Sequence, residues 1–422
     1  LWQVVPPAGH FDADSYLYDA TASYFAATGD MTDPSMPTRA PIQSVGYHFF
    51  VGLIYRIVGH KPAAVIVVQV VLMLAVLAYL MRCALLISTP AVAHAAAYGG
   101  LLSLGLHIYP QLILAETLLL VLVMICLERF LVFFKQDNHT ALVQSYALLA
   151  LAMIVKPLML PFVGVISYVA YTKMAYHDKR SAVPTLAVAV GIFMLCIASY
   201  MGRNWIKYGQ FAFAPMTTLN IYQCYLAKVI AVTEGIREQE LVATTLRCTS
   251  DNMLDDSGWS DARTLFYAYL YAHPCICVYV WLHNVCKTMV GLYSTQFKRM
   301  LNPELTGREI SFFAYKGALH ERAMAYVLGA TDVTFVRILA VLELLLLMCI
   351  WLGTLIALHK LYYSDRLLCW VLLGFLVSCF VPTGIDGCCR YRIIAEPILL
   401  LLASMTYVRL YTIKRGVVYA IS

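Results

Sequence analysis

Charge is what this chain has least of. Only 13% of its 422 residues are charged, whereas 61% are hydrophobic. Soluble domains carry about a quarter charged residues and are near half apolar, so an ordinary soluble domain is excluded. The net charge of +6 is weak evidence for nucleic acid, because the basic residues cluster at the ends of apolar runs where a topology signal belongs, and no nucleic-acid partner is expected. Motifs are missing as well. No GxxxxGK[ST] loop and no GxGxxG turn is present, which removes nucleotide binding by those routes. No HExxH or GxSxG occurs, so zinc proteolysis and elbow-serine hydrolysis are not expected. The 11 histidines are scattered, none paired at i, i+4, and no cysteine pair has zinc-site spacing with histidine. There is no internal repeat of 20–50 residues and no low-complexity linker.

What is present is a succession of apolar runs. They predict helical spans near 62–83, 91–108, 116–134, 142–157, 159–174, 183–201, 335–358, 367–382 and 393–411. Lipid offers backbone groups no other partner and barrel-type alternation is absent, so the fold class is an all-α polytopic membrane protein. The chain opens at Leu1, and Leu1-Trp2-Gln3-Val4-Val5 reads like the tail of a truncated first span, with Trp2 at interface depth. Of the 13 cysteines, Cys83, Cys126, Cys196, Cys349, Cys369 and Cys379 lie inside apolar runs as small hydrophobes. Cys224, Cys248, Cys388 and Cys389 fall in polar loops, where an oxidising compartment would permit a disulfide.

Basic residues give the orientation. Arg82, Arg129 with Lys135, Lys173 with Lys179 and Arg180, Lys360 with Arg366, and Lys414 with Arg415 fall on alternate connections, which are therefore expected in the cytoplasm. Asn138-His139-Thr140 matches a glycosylation acceptor but falls on that side, and is discounted. Four regions follow: 1–61, the end of a first span plus an external loop with juxtamembrane helices; 62–201, a transmembrane core; 202–334, external or interfacial; and 335–422, C-terminal spans. Residues 275–292 are apolar enough to enter the membrane without a clean second crossing, and an interfacial or re-entrant helix is expected there. The polar piece 233–263, with Asp251, Asp255, Asp256 and Asp261, reads as a small external loop domain.

With this topology every unusual polar cluster faces one compartment, outside the cytoplasm. Asp12 and Asp14 stand first. Asp14 is a natural cap for a helix from Ser15 to about Thr28, ended by Gly29. Either carboxylate is equally suited to act as a general base, and Asp-x-Asp permits a divalent cation without demanding one. Arg39, before Pro41, is a surface anchor or a phosphate clamp, and an amphipathic stretch follows from Tyr47 to Val58. Glu116 opens a span, where it suits a helix N-terminus or a second acidic position on the same cavity. Lys156, before Pro157, lies deep in an apolar run, where lysine is costly unless it meets an anion. Arg203-Asn204-Trp205 and Arg390-Tyr391-Arg392 sit just outside spans, as interface anchors or as parts of an anion site.

Taken in order, these elements resemble a known family. Asp14-Ser15-Tyr16 with Ala20, then Arg39-Ala40-Pro41 and Gly59, resembles the first external loop of the GT-C glycosyltransferases, of the bacterial protein mannosyltransferase and aminoarabinose transferase group. Pro110 with Glu116-Thr117, Lys156-Pro157, Arg203-Asn204 with Gly209, and Arg390-Tyr391-Arg392 with Pro397 resemble the later landmarks, so the likeness runs from about residue 9 to 410. The resemblance implies a GT-C-like helical bundle that moves a sugar from a polyprenyl-phosphate donor to a glycan, lipid or protein acceptor. Transfer would occur at the non-cytoplasmic face of a bacterial inner or cell membrane, as a hexosyl or pentosyl transfer with inversion. It implies Asp14 as base, with Asp12 the near alternative, and Arg39 on the donor phosphate, joined by Lys156, Arg203, Arg390 and Arg392. Glu116 would orient the acceptor or sugar. No cofactor is implied as required; a divalent cation on Asp12 and Asp14 stays open. Asp14 is followed by Ser15 where the family commonly has a second acid. The alternative reading is a carrier or flippase for a phosphate-bearing lipid or solute.

Overall fold

The computed structural model describes residues 10–32, 43–177, 179–209, 220–236, 256–301 and 334–414, with isolated positions at 34, 211, 213, 318, 321, 322 and 324. Among the described residues the secondary structure is helical, without a strand. The helices are α1 (Ala13–Thr28), α2 (Val45–Val58), α3 (Pro62–Ile87), α4 (Pro90–Leu102), α5 (Leu104–Ile108), α6 (Glu116–Gln136), α7 (His139–Val155), α8 (Leu160–His177) and α9 (Lys179–Tyr208). After a π-helical turn, Ile221–Leu226, come α10 (Ala227–Glu234), α11 (Asp256–Ala272), α12 (Pro274–Val290), α13 (Ser294–Leu301), α14 (Thr334–Ser364), α15 (Arg366–Phe380) and α16 (Arg392–Lys414).

Seven helices among the described residues are long and apolar enough to cross a membrane: Pro62–Ile87, Glu116–Gln136, Pro157–Tyr176, Ala182–Tyr208, Ile338–Ser364, Arg366–Gly384 and Cys389–Lys414. Each falls on an expected span, and the protein is an all-α multi-pass membrane protein. Two expected spans differ in form. The run at 91–108 is a pair of helices, Pro90–Leu102 and Leu104–Gln111, bent by 62° where Ser103 leaves helical geometry. The run at 142–157 is α7, whose 17 residues fall short of the roughly 20 a straight span needs. The apolar stretch at 275–292 is α12, bent by 104° from Arg263–Ala272, the geometry of a broken span or a re-entrant loop.

One local expectation is corrected. The first helix begins at Ala13, so Asp12 rather than Asp14 takes the cap position. The Asp12 N–H donates to Ser15 Oγ (2.9 Å), while the Ser15 N–H donates to the Asp12 carbonyl (2.9 Å). The serine hydroxyl returning to the Asp12 N–H is one half of a capping box, and the backbone turn supplies the other contact. Gly29, at φ +78°, ends the helix as expected. Asn138 caps α7, accepting from the Ala141 N–H at 3.1 Å.

The chain divides into two compact units. The first holds Leu1–Phe213, Leu292–Ser378 and Ile393–Ser422. Its helices meet through small residues and carbonyl-directed hydroxyls, the usual means where lipid leaves no hydrophobic drive between helices. A Cβ at Gly353 would lie 2.9 Å from Ala403 Cα, and one at Gly374 would lie 2.4 Å from Val165. Thr406 donates to the Gly353 carbonyl (2.7 Å) and Thr354 to that of Leu399 (3.2 Å), tying α14 to α16.

Charges in the first unit gather at the two ends of its long helices. At one end Glu128, 1% exposed, accepts from Arg82 of α3 (2.7 Å) and Arg129 (2.5 Å), while Lys173 pairs with Asp137 (2.8 Å) and Lys135 with Asp365 (3.4 Å). These are connections that the basic-residue pattern groups together. The other end carries Asp12, Glu116 and Lys156.

The second unit holds Ala214–Gly291 and Cys379–Arg392. Tyr225, Val229, Cys277 and Val280 form its core, and the Tyr225 hydroxyl donates to the Cys277 carbonyl at 2.6 Å. Asn284 of α12, 1% exposed, donates to the Gly384 carbonyl (2.9 Å), and Lys228 of α10 to that of Asp386 (2.7 Å).

Candidate functional site

The first unit builds a polar site from three segments that precede or follow apolar helices. The first is 10–15, leading into α1. His10, 6% exposed, holds the Gln111 carbonyl through Nδ1 at 2.9 Å, and its own carbonyl accepts from the Ile113 N–H at 3.3 Å. The approach to Asp12 is thus pinned to the loop running into Glu116. That loop is itself non-helical at 112–115, and its backbone needs partners from protein. Gln69, fully buried on α3, supplies them: its amide donates to the Pro110 (3.0 Å) and Leu112 (2.7 Å) carbonyls and accepts from the Tyr47 hydroxyl (2.7 Å).

The second segment joins the ends of α6 and α7. Lys156 Nζ donates to Glu116 Oε1 at 2.7 Å, with the glutamate side chain 1% and the lysine 17% exposed. The anion expected for the costly lysine is therefore Glu116 itself. Gly46 of α2 packs on the two residues before Lys156, since a Cβ there would lie 2.8 Å from the Ile154 oxygen and Val155 nitrogen. Two residues earlier, Ser44 Oγ and Gln43 Oε1 are buried with no hydrogen-bond partner among the described residues, and so is Thr117 Oγ1 beside Glu116. Buried polar atoms left unmatched are uncommon and mark places where a ligand or water completes the set.

The third segment is α13, which carries Lys298 and Arg299. Arg299 Nη1 lies 2.7 Å from Asp12 Oδ1, with the arginine side chain 43% and the aspartate 10% exposed. This short helix is anchored on acids. Both oxygens of Glu343 accept backbone N–H groups at its start, from Tyr293 (2.5 Å) and Ser294 (2.8 Å). The Tyr293 hydroxyl donates to Glu396 (3.2 Å), whose other oxygen accepts from Ser103 at the break between α4 and α5 (3.1 Å). The tyrosine ring lies flat against Gly105, where a Cβ would come within 2.4 Å of it.

The sequence-derived candidates fall as follows. Asp12 pairs with Arg299 and Glu116 with Lys156, the Asp12 segment being tied to the loop before Glu116 through His10, and Asp14 stands half-buried in the first turn of α1. Arg203, at the end of α9, donates to Asn204 (2.9 Å) and lies 5.4 Å over the Tyr208 ring. One turn along, Lys207 pairs with Asp30 and donates to Thr32 (2.7 Å), fastening the chain after α1 to α9. The Lys207 hydrogen bond holds the Asp30 carboxyl below the usual carboxylate range, against the opposing effect of burial. Arg39 lies outside the described residues. Arg390 and Arg392 belong to the second unit. Arg390 stacks 5.3 Å over the Tyr391 ring. Arg392, 1% exposed, donates to the Gly291 (2.5 Å) and Met289 (3.4 Å) carbonyls and so closes the C-terminal end of α12. Cation exchange with a phosphate is not what that buried geometry favours. No group of three His, Cys, Asp or Glu able to hold a metal occurs among the described residues, and the Asp12–Asp14 pair gains no third donor.

Glu343, Glu396, Arg299 and Asp19 are additions to the candidates. Asp19 on α1 accepts from the Tyr55 hydroxyl of α2 at 2.5 Å and meets His60 at 3.0 Å. Glu343 and Glu396 each interrupt an apolar run, a pattern that singles out functional residues in membrane spans. Beside the same loop, α3, α4 and α5 line a half-open apolar pocket of about 420 Å³, bordered by Ile66, Val70, Met73, Leu106, Pro110 and Gln111.

No protein-family profile matches this chain, and no curated protein matches it. Among crystal structures it is similar to ArnT from Cupriavidus metallidurans bound to undecaprenyl phosphate, with a TM-score of 0.44 and 13% identity over 96% of this chain and 74% of that one. It is likewise similar to ArnT from Cupriavidus metallidurans in the apo state, with a TM-score of 0.42 and 12% identity over 96% of this chain and 73% of that one.

Proposed function

We propose that this protein is a glycosyltransferase that moves a sugar from a polyprenyl-phosphate donor to an acceptor hydroxyl at the non-cytoplasmic face of the membrane, with inversion. The observation that carries the reading is the meeting of Asp12, Glu116, Lys156 and Arg299 at one end of an apolar helical unit, opposite the end that holds Arg82, Arg129 and Lys173. By the basic-residue rule the second end is cytoplasmic, which puts the acids outside. Such a site suits a reactant with a lipid tail and a charged head.

The chemistry is an in-line displacement. The acceptor oxygen attacks the anomeric carbon and gives its proton to the carboxylate of Asp14 or Asp12. The bond from that carbon to the phosphate oxygen breaks, and its electron pair leaves on the phosphate. Cations already in position stabilise the growing charge there, where exclusion of water strengthens them. Lys156 is suited to this because its partner Glu116 offsets the cost of a cation in an apolar setting, and Glu116 stands where it would orient a hydroxyl. Arg39 and Arg203 complete the proposed donor set.

The test uses membranes containing the protein, polyprenyl-phosphate sugars with a labelled hexose or pentose, and mass spectrometry of whatever gains mass. Asp14→Asn is expected to abolish transfer while folded protein remains. Full activity in both Asp12→Asn and Asp14→Asn removes the mechanism. A second reading, a lipid carrier, draws on the broken pair α4 and α5 beside buried Glu396, since carriers use interrupted helices. Uptake of a phosphate-bearing lipid by reconstituted vesicles without covalent transfer favours it.

A further inference from the structure

Arg299 pairs with Asp12, and it reaches that carboxylate from a helix that buried acids hold in place. α13 has only eight residues, yet a buried carboxylate holds its first two N–H groups and a buried tyrosine ties it to Glu396. Anchorage of that kind keeps a basic side chain where it is needed. The arginine head is nearly half exposed while the aspartate is largely covered, so an incoming anion can reach the guanidinium before it reaches the carboxylate. A guanidinium offers a phosphate a two-pronged set of donors, and Asp12 occupies only part of it.

We infer that Arg299 is a donor-phosphate ligand that Asp12 holds in reserve, and that the lipid phosphate draws it away from the Asp12 carboxylate. Binding of the donor and opening of the Asp12–Arg299 pair are then one event, so the pair opens only when a phosphate is in place to receive the leaving electrons. No bond is made or broken in the exchange; one ion pair replaces another. The pair Glu116–Lys156 lies on the same side of the unit, tied to the Asp12 segment through His10 and Ile113, and has a lower exposure that suits a fixed role.

This inference rests on the proposed function for the identity of the anion, and its test separates the two. The full chain in lipid nanodiscs is titrated with undecaprenyl phosphate, with undecaprenol as the uncharged control. Arg299→Gln is expected to weaken phosphate-dependent binding about tenfold or more. Asp12→Asn is expected to tighten it about threefold or more, because the competing partner is gone. The double variant Asp12→Asn/Arg299→Gln should lose that gain, and it also serves if either single variant fails to fold, because it leaves no unmatched charge. Arg299→Lys should recover part of the affinity. Native affinity in Arg299→Gln, or no tightening in Asp12→Asn, overturns the exchange. If the binding pattern holds but no lipid-linked sugar is ever transferred, the exchange stands and glycosyl transfer falls. If transfer is seen while Arg299→Gln binds as the native protein does, the reverse holds.

Discussion

Lys156 and Glu116 end up 2.7 Å apart although 40 residues separate them, one closing α7 and the other opening α6. A lysine that looked stranded in an apolar run and an acid that looked like a helix-start residue are two halves of one pair. Removing one partner leaves the other buried and uncompensated. Lys156→Ala is expected to lower stability by about 3–5 kcal/mol. Thermal unfolding in detergent checks this, and Lys156→Met with Glu116→Gln should recover most of the loss. Unchanged unfolding of Lys156→Ala would mean that Glu116 is solvated or protonated instead.

Gln69→Leu should loosen the loop before Glu116. The variant strips a partner from the Pro110 and Leu112 carbonyls and from the Tyr47 hydroxyl; Leu112 keeps the Leu114 N–H, and each group left unmatched costs about 1–3 kcal/mol. Faster amide exchange at 111–115, with α3 still formed, is the expected signature. Protection equal to the native protein would show that the loop holds itself.

The Asp30–Lys207 contact is expected to be acid-sensitive. The folded carboxyl titrates below its unfolded value of about 3.9, so the contact stabilises fully above that value and is lost as pH falls through the depressed folded one. Amide exchange at residues 29–32, corrected for intrinsic rate, should rise only in that acidic window. Asp30→Asn should show the raised exchange at neutral pH and lose the dependence.

Arg392→Lys should separate architecture from ligand binding. A lysine reaches fewer carbonyls at the end of α12, and a loss of about 1–3 kcal/mol in stability is expected. Affinity for polyprenyl phosphate in the folded variant should equal that of the native protein. A large loss of affinity at native stability would return Arg392 to the donor set.

The spans were readable because lipid makes their signal strong, a long apolar run bounded by basic residues. Glu116 and Lys156 were readable for the same reason, as charges out of place. The break at Ser103 was not: nothing around Leu101-Leu102-Ser103-Leu104 disrupts hydropathy, and the bend depends on Tyr293 and Glu396, nearly 200 and 300 residues later. Arg299 was equally silent, because α13 is short and amphipathic and resembles any surface turn. Its meaning comes from Glu343 on a distant helix. Asp12 and Asp14 could be ranked only once the helix start was known, since a shift of two residues exchanges the cap and the first turn.

Glu128 sits between Arg129, its own neighbour in the chain, and Arg82, made 46 residues earlier. During synthesis α3 leaves the ribosome first, carrying a guanidinium already stationed at the lipid border. When α6 follows, its acid arrives with a built-in counter-charge and then docks on the waiting helix. The trio therefore ties two non-consecutive apolar helices together lengthwise using residues that precede Lys156 and Arg299 in the chain.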